Sequence, residues 1–160
     1  MAENAQYLTL GIDQEIFGID IRYVREILDL RPISKLPHAP DFLMGMIDVR
    51  GAGFPIVDLR TKLGLPRVDA TEATRIIILD VPVKGRTTGV GFVADRVFEV
   101  TGLDKGQTEA APDVGGRWQS NYIAGIGRKG EAFIVVFDLE RLMANDDLSS
   151  LAPPAGDLAA

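Results

Sequence analysis

Gly18-Ile19-Asp20-Ile21, followed after two further residues by Val24-Arg25-Glu26-Ile27, is spelled again as Gly91-Phe92-Val93-Ala94 followed by Val97-Phe98-Glu99-Val100. Working outward, Phe42-Leu43-Met44-Gly45-Met46 returns as Tyr122-Ile123-Ala124-Gly125-Ile126. Phe54-Pro55-Ile56-Val57-Asp58-Leu59 returns as Ile134-Val135-Val136-Phe137-Asp138-Leu139. Both later pairs stand some eighty residues apart, longer than a solenoid unit and long enough for a subdomain. The chain therefore reads as two related modules in one body, and the places where the copies differ are where function is to be sought.

The chain has 160 residues, 46% of them hydrophobic, which suits one domain of ordinary size or two small subdomains sharing a core. No apolar run approaches the ~20 residues a bilayer demands, and Met1-Ala2-Glu3-Asn4 lacks the regions of a signal peptide, so a soluble cytoplasmic protein without membrane insertion is expected. The absence of cysteine excludes disulfides, thiolate catalysis and cysteine-held metals. A net charge of −6 opposes binding to nucleic acid or anionic lipid, both of which require an electropositive footprint. Protein partners remain, and no cofactor is expected.

Tyr7 to Ile12 and Ile16 to Ile19 read as a hairpin around Asp13-Gln14-Glu15. From Ile21 a short helix or turn leads into a strand, because apolar residues at helical spacing are there mixed with β-branched ones. Pro32, Pro37 and Pro40 mark a loop around His38. Phe42 to Ile47 reads as a short helical turn or a strand, and Val49 to Gly53 as a tight glycine turn before a strand at Phe54 to Leu59. Pro55 belongs at that strand's start or on a sheet edge, since it has no N–H to donate. In the second copy Ile76 to Leu79 is a strand buried on both faces, Val81 to Thr88 a turn, Ala132 to Phe137 a strand and Leu139 to Met143 a helix. Thr101 to Gln119 reads as a long loop, and residues 144–160 as a disordered tail. Many short strands with glycine turns point to two linked small barrels, at approximately 7–66 and 74–143.

Five constellations invite a chemical reading. Gly125-Ile126-Gly127-Arg128-Lys129-Gly130 fits the dinucleotide pattern G-x-G-x-x-G, yet that motif needs a following helix and a strand follows here, so a turn is the better reading. The alternative it leaves is a small nucleotide-binding protein using these glycines with Asp58 or Asp138. Those two aspartates hold matching positions in the copies, which suits a helix cap in each. His38 has no second histidine or cysteine to build a metal site or triad with. Arg50, between an apolar arm and a glycine turn, could pair with Glu26, Asp48 or Asp58, or reach a partner's carboxylate through its planar fork. In the repeat, Val49-Arg50-Gly51 aligns with Arg128-Lys129-Gly130. Trp118 and Tyr122 are aromatics suited to the core or to an interface.

The run from Gly45 to Arg60, with Asp48, Arg50-Gly51, Pro55 and Asp58-Leu59 in fixed spacing, resembles the signature of the CheW family of chemotaxis coupling proteins, commonly G-x-x-N-x-R-G-x-x-x-P-V-x-D-L. The resemblance extends from Tyr7 to about Met143 through Phe17 to Ile21, Val24 to Ile27, Gly91 to Asp95 and Tyr122 to Gly125. It implies a mainly β fold of two five-stranded SH3-like barrels around a shared hydrophobic core, with short helices. It also implies a non-enzymatic adaptor that couples the cytoplasmic tips of chemoreceptors to the histidine kinase CheA. A scaffold for a non-chemotactic kinase pathway is the variant of that role. Carried over position by position, the receptor-facing residues are Val24, Glu26, Gly45, Arg50, Gly91 and Val100, with Val24 and Val100 forming a seam between the copies. A kinase or ring contact falls at Pro112, Asp113 and Val114. Departures from the family's pattern are Asp48 for asparagine, Ala52-Gly53-Phe54 for β-branched residues, Arg96 for a small residue and Val114 for an aromatic.

Overall fold

The computed structural model describes residues 5–83, 85–103 and 122–143. Trp118, the contact expected at Pro112, Asp113 and Val114, and the tail at 144–160 lie outside the described residues. Ten strands and two one-turn helices run in the order β1 (Tyr7–Ile12), β2 (Glu15–Asp20), β3 (Val24–Asp29), β4 (Leu43–Val49), β5 (Ala52–Asp58), α1 (Leu59–Lys62), β6 (Arg75–Val83), β7 (Arg86–Ala94), β8 (Arg96–Thr101), β9 (Ile123–Lys129), β10 (Ala132–Phe137) and α2 (Leu139–Leu142). A 3-10 turn at Ile21–Tyr23, capped by the Asp20 carboxylate on the Arg22 N–H, carries the chain from β2 into β3. The fold is mainly β, in two five-stranded sheets each with a half-barrel curl.

The first sheet is ordered β8-β1-β2-β10-β9 and the second β3-β6-β7-β5-β4. The sequence repeat pairs β1 and β2 with β6 and β7, β3 with β8, and β4 and β5 with β9 and β10, so the two orders are the same order. Each copy nevertheless gives its leading hairpin to one sheet and its other three strands to the other sheet. The division expected at residues 66 to 74 separates the copies in sequence and does not separate the sheets. This is a reciprocal exchange of hairpins within one chain, the intramolecular relative of domain swapping. Parallel pairs seal each exchange: Val135 opposite Phe17 in the first sheet, and Ile56, Val57 and Asp58 opposite Gly91, Phe92 and Val93 in the second.

Side-chain alternation along β6 explains the core. Ile77, Leu79, Val81 and Val83 face the first sheet and join Leu8, Leu10, Ile12, Phe17 and Ile19 in one cluster. Ile76 and Ile78 point the other way, into a second cluster with Ile47, Val49, Phe54 and Ile56 inside the curl of the second sheet. The run Ile76 to Leu79 is thus buried on both faces, as its composition predicts. At the shared core Phe17 and Phe137 stack with ring centroids 4.8 Å apart.

One open alternative is resolved and two local expectations change. Residues 42–47 contain the start of a strand and no helical turn, since β4 pairs with β5 from Leu43 on. Val81 to Thr88 is mostly strand, with β6 running to Val83 and β7 resuming at Arg86. Pro55 sits inside β5, an interior strand. The two-residue tip closes at Val49 opposite Ala52, so the alternation of bonded and non-bonded pairs turns the Pro55 nitrogen away from β4. On its other side β7 joins only from Ile56 onward, so no ladder bond is forfeited there.

Candidate functional site

The β4–β5 tip is a two-residue turn in which both Arg50 (φ 51°) and Gly51 (φ 88°) are left-handed, the geometry that matches the twist of a hairpin. Asp48 supplies the local clamp, its Oδ1 accepting the Gly51 N–H at 2.7 Å. Of the partners open to Arg50, the structure selects Glu26: Arg50 Nη2 donates to Glu26 Oε1 at 2.8 Å and to Oε2 as well. Because β3 and β4 are the two edges of the second sheet, this pair spans the open side of the half-barrel. Lower down, Ser34 and Met46 exchange both backbone hydrogen bonds, at 2.9 and 2.8 Å, and close the same gap. The hydrogen bond from Arg50 holds the Glu26 carboxyl below the usual glutamate range. The Arg50 side chain is 71% exposed, so the pair adds little to stability, and Nε and Nη1 carry no hydrogen bond among the described residues. A surface pair with spare donors is suited to recognition.

Val24 and Val100, the residues expected at a seam between the copies, lie on the edge strands β3 and β8 of the two sheets. Val24 lies opposite Leu79 and Val100 opposite Leu8, and both leucines belong to the shared core. Val24 packs against that core, as Val97 does on β8, whereas Val100 is an exposed residue of the edge strand β8. Val24 is half-buried and Val100 is 45% exposed. Gly45 and Gly91 are placed differently, both buried. Gly45 has φ 147°, and a Cβ there would lie 2.2 Å from the Ser34 carbonyl oxygen. At Gly91 a Cβ would lie 2.5 Å from Ile56 Cδ1. These two glycines shape the walls that carry the exposed residues.

Sequence reasoning missed two polar groups. Arg25 bonds Asp80 (Nη2 to Oδ1, 2.6 Å) and lies over the Phe54 ring at 5.3 Å, capping the inner cluster directly beside Glu26. Arg60 on α1 bonds Asp95 through Nε and Nη2 at 3.1 and 2.8 Å, reaches Asp13 at 3.4 Å and donates to the Pro66 carbonyl at 3.2 Å. This clasp ties α1, which follows β5 of the second sheet, to the β1–β2 turn of the first, beside a cleft of about 460 Å³ edged by Leu30, Met44 and Val68. Burial alone would raise the Asp95 carboxyl, but hydrogen bonds from Arg60 and from the Asp13 N–H outweigh it and hold the group below its ordinary range. The three residues are far apart in sequence, and no spacing signals them. The Asp-Leu-Arg run after β5 is the one hint.

The other readings resolve locally. Gly125 to Lys129 lie within β9 and lead into a strand, so a hairpin stands where a dinucleotide site requires a helix. Asp58 caps α1 by accepting the Arg60 N–H, and Asp138 caps α2 by accepting the Arg141 N–H. His38 is an exposed loop residue with φ 59°. Tyr122 packs against the shared core. The β9–β10 tip closes at Lys129 opposite Ala132, which makes Gly130, and not Lys129, the structural counterpart of Arg50. Arg96 lies across Gly11, where a Cβ would meet its side chain at 2.9 Å. Among the described residues no acidic or histidine cluster could hold a metal ion, and no helix is long and apolar enough to cross a membrane.

Comparison with known proteins agrees with this architecture. The CheW-like domain family matches residues 6–147. The chain is 31% identical to the chemotaxis protein CheW of Klebsiella aerogenes over 144 residues, covering 90% of this chain and 84% of that one. It is 30% identical to the chemotaxis protein CheW of Rhizobium meliloti over 155 residues, covering 92% and 97%. The crystal structure of the scaffolding protein TtCheW from Thermoanaerobacter tengcongensis superposes with a TM-score of 0.79 at 25% identity, covering 96% of each chain. With the fold, the Arg-Gly tip and these likenesses in agreement, the chain belongs to the CheW-like family of chemotaxis adaptor and scaffold proteins.

Proposed function

We propose that this protein is a non-catalytic adaptor that couples the cytoplasmic tips of chemoreceptors to the regulatory domain of the histidine kinase CheA in cytoplasmic signalling arrays. The observation that carries the reading is the Glu26–Arg50 pair: an exposed guanidinium with spare donors at the β4–β5 tip, bonded to Glu26 on the same edge strand, β3, as Val24. In this role Val24 and Val100 bury an apolar stripe of a receptor helix while Arg50 and Glu26 read its polar flank. Gly45 and Gly91 hold the surface in shape from beneath, and Pro112, Asp113 and Val114 supply the kinase or ring contact. Two or three apolar anchors at about 1.5–3 kcal/mol each, less ordering costs, give roughly micromolar binding, about −8 kcal/mol. Array-scale cooperation then comes from many such contacts acting together.

The test is a crosslinking pull-down from the source cell with the wild-type chain and with Arg50→Glu, whose folding is checked by circular dichroism. Receptor recovery is expected to fall sharply in the variant while kinase recovery persists. Unchanged receptor and kinase occupancy in a folded Arg50→Glu protein would sink the assignment of Arg50. Recovery of a kinase and sensor outside chemotaxis would redirect the adaptor to another pathway.

A further inference from the structure

We propose that the open end of the first sheet receives an arginine-bearing segment of a partner protein, its guanidinium paired with Glu99 and its methylene stem laid against Phe98 and Ile134. The argument comes from the internal repeat. Strand for strand, Glu99 on β8 takes the place of Glu26 on β3, Lys129 that of Val49, and Gly130 that of Arg50. In the second sheet this end is sealed: Arg50 covers Glu26, Arg25 covers Phe54, and Val49, Phe54 and Ile78 fill the interior. In the first sheet the same end holds a cleft of about 270 Å³ whose lining includes Thr9, Ile16, Phe98, Glu99, Lys129 and Ile134.

Among the described residues, no guanidinium reaches the Glu99 carboxylate. The Glu99 carboxylate has no ion pair or hydrogen bond among the described residues. Its backbone, in contrast, is fixed, because the buried Thr9 hydroxyl donates to the Glu99 carbonyl at 2.7 Å and accepts its N–H at 3.1 Å. Phe98 beside it is 47% exposed, an apolar shelf for an arginine stem. Arg96 crosses Gly11 with its guanidinium 3.4 Å from the Asp13 carbonyl and 5.4 Å from the Phe98 ring centroid, and among the described residues it forms no hydrogen bond or ion pair with Glu99. Lys129 lines the cleft one position before the tip and forms no ion pair among the described residues; it acts as a competing cation that an incoming arginine must outbid. The net charge of −6 adds long-range attraction for a basic segment. This end is separate from the Glu26–Arg50 end, and its occupancy does not depend on the adaptor role.

The experiment titrates the full chain, at low salt, with the peptides acetyl-Gly-Arg-Leu-amide and acetyl-Gly-Glu-Leu-amide, following backbone amide shifts by NMR. The arginine peptide is expected to give saturable shifts centred on Thr9, Glu99, Thr101 and Ala132, and the glutamate peptide none. Glu99→Gln should weaken binding about fivefold or more, since a charge-assisted pair is lost, and Lys129→Ala should tighten it. Writing the first tip into the second, by the double substitution Gly130→Arg and Glu131→Gly, supplies the guanidinium in cis and should abolish binding. Retained chemical-shift dispersion checks that each variant is folded. The proposal is overturned by an absence of saturable shifts, by equal response to the two peptides, by binding that survives the tip graft, or by loss of binding in Lys129→Ala, which would mark an anion site.

Discussion

Replacing Arg60 by methionine removes the clasp between the sheets while keeping most of the side chain's length. The substitution deletes two hydrogen bonds to Asp95, one to Asp13 and one to the Pro66 carbonyl, and leaves Asp95 with the Asp13 N–H at 2.7 Å. Breaking a buried ion pair costs about 3–5 kcal/mol, and hydrogen bonds to charged groups about 1.5–3 kcal/mol each. The Asp95 side chain is 22% exposed, so solvent screens part of the loss and about 2–4 kcal/mol is expected. At this chain length that lowers Tm by about 5–12 °C. The pH dependence distinguishes this cause from simple loss of packing. In the wild type the Asp95 carboxyl is held low, so the stability it contributes is present above about pH 4 and disappears as pH falls through its folded value. In the variant burial dominates and raises that group, so the destabilisation is full near neutrality and shrinks in acid. Urea unfolding of both proteins from pH 7 to pH 3 measures it. A difference within about 0.5 kcal/mol at pH 7, or one of the same size at pH 3, would refute the clasp.

Gly91→Ala should cost about 1–3 kcal/mol in urea unfolding, from overpacking against Ile56 Cδ1, with receptor affinity falling only as far as the folded fraction does. Gly45→Ala should cost at least about 1–3 kcal/mol from backbone strain and should speed amide exchange at Ser34 and Met46, whose mutual hydrogen bonds it disrupts. Removing the cap by Asp58→Ala should cost about 1–2 kcal/mol, more than Asp138→Ala, because the Asp58 carboxylate also accepts the Thr61 hydroxyl at 3.1 Å and is buried.

Strand identity was legible because side-chain alternation and glycine turns are local properties. β1, β2, β6 and β10 follow from them, and so does the capping role of Asp58 and Asp138. Sheet membership was not legible: β10 joining β2, and β7 joining β5, are long-range parallel pairings that leave no mark in either strand's own composition. At the site, the repeat and the family resemblance pointed to Arg50 and Glu26, and geometry then chose Glu26 over Asp48 and Asp58. The roles of Gly45 and Gly91 were hidden because a glycine announces a permissive backbone without naming the side chain that presses on it. Arg60, Asp13 and Asp95 were hidden because their meeting is a property of the packed sheets alone.

The exchange of hairpins also bears on how the chain acquires its structure during synthesis. All strands of the second sheet, β3 to β7, come from the continuous stretch Val24–Ala94, which can pair completely while the rest is still being made. The first sheet takes β1 and β2 from the chain's beginning and β8 to β10 from near its end, so Phe17 waits for Val135 across more than a hundred residues. Non-local pairing of this kind forms late and slowly. Until then the apolar inward faces of β1 and β2 can rest only on the sheet already built, so the nascent protein passes through a state in which one sheet shelters the unfinished edge of the other.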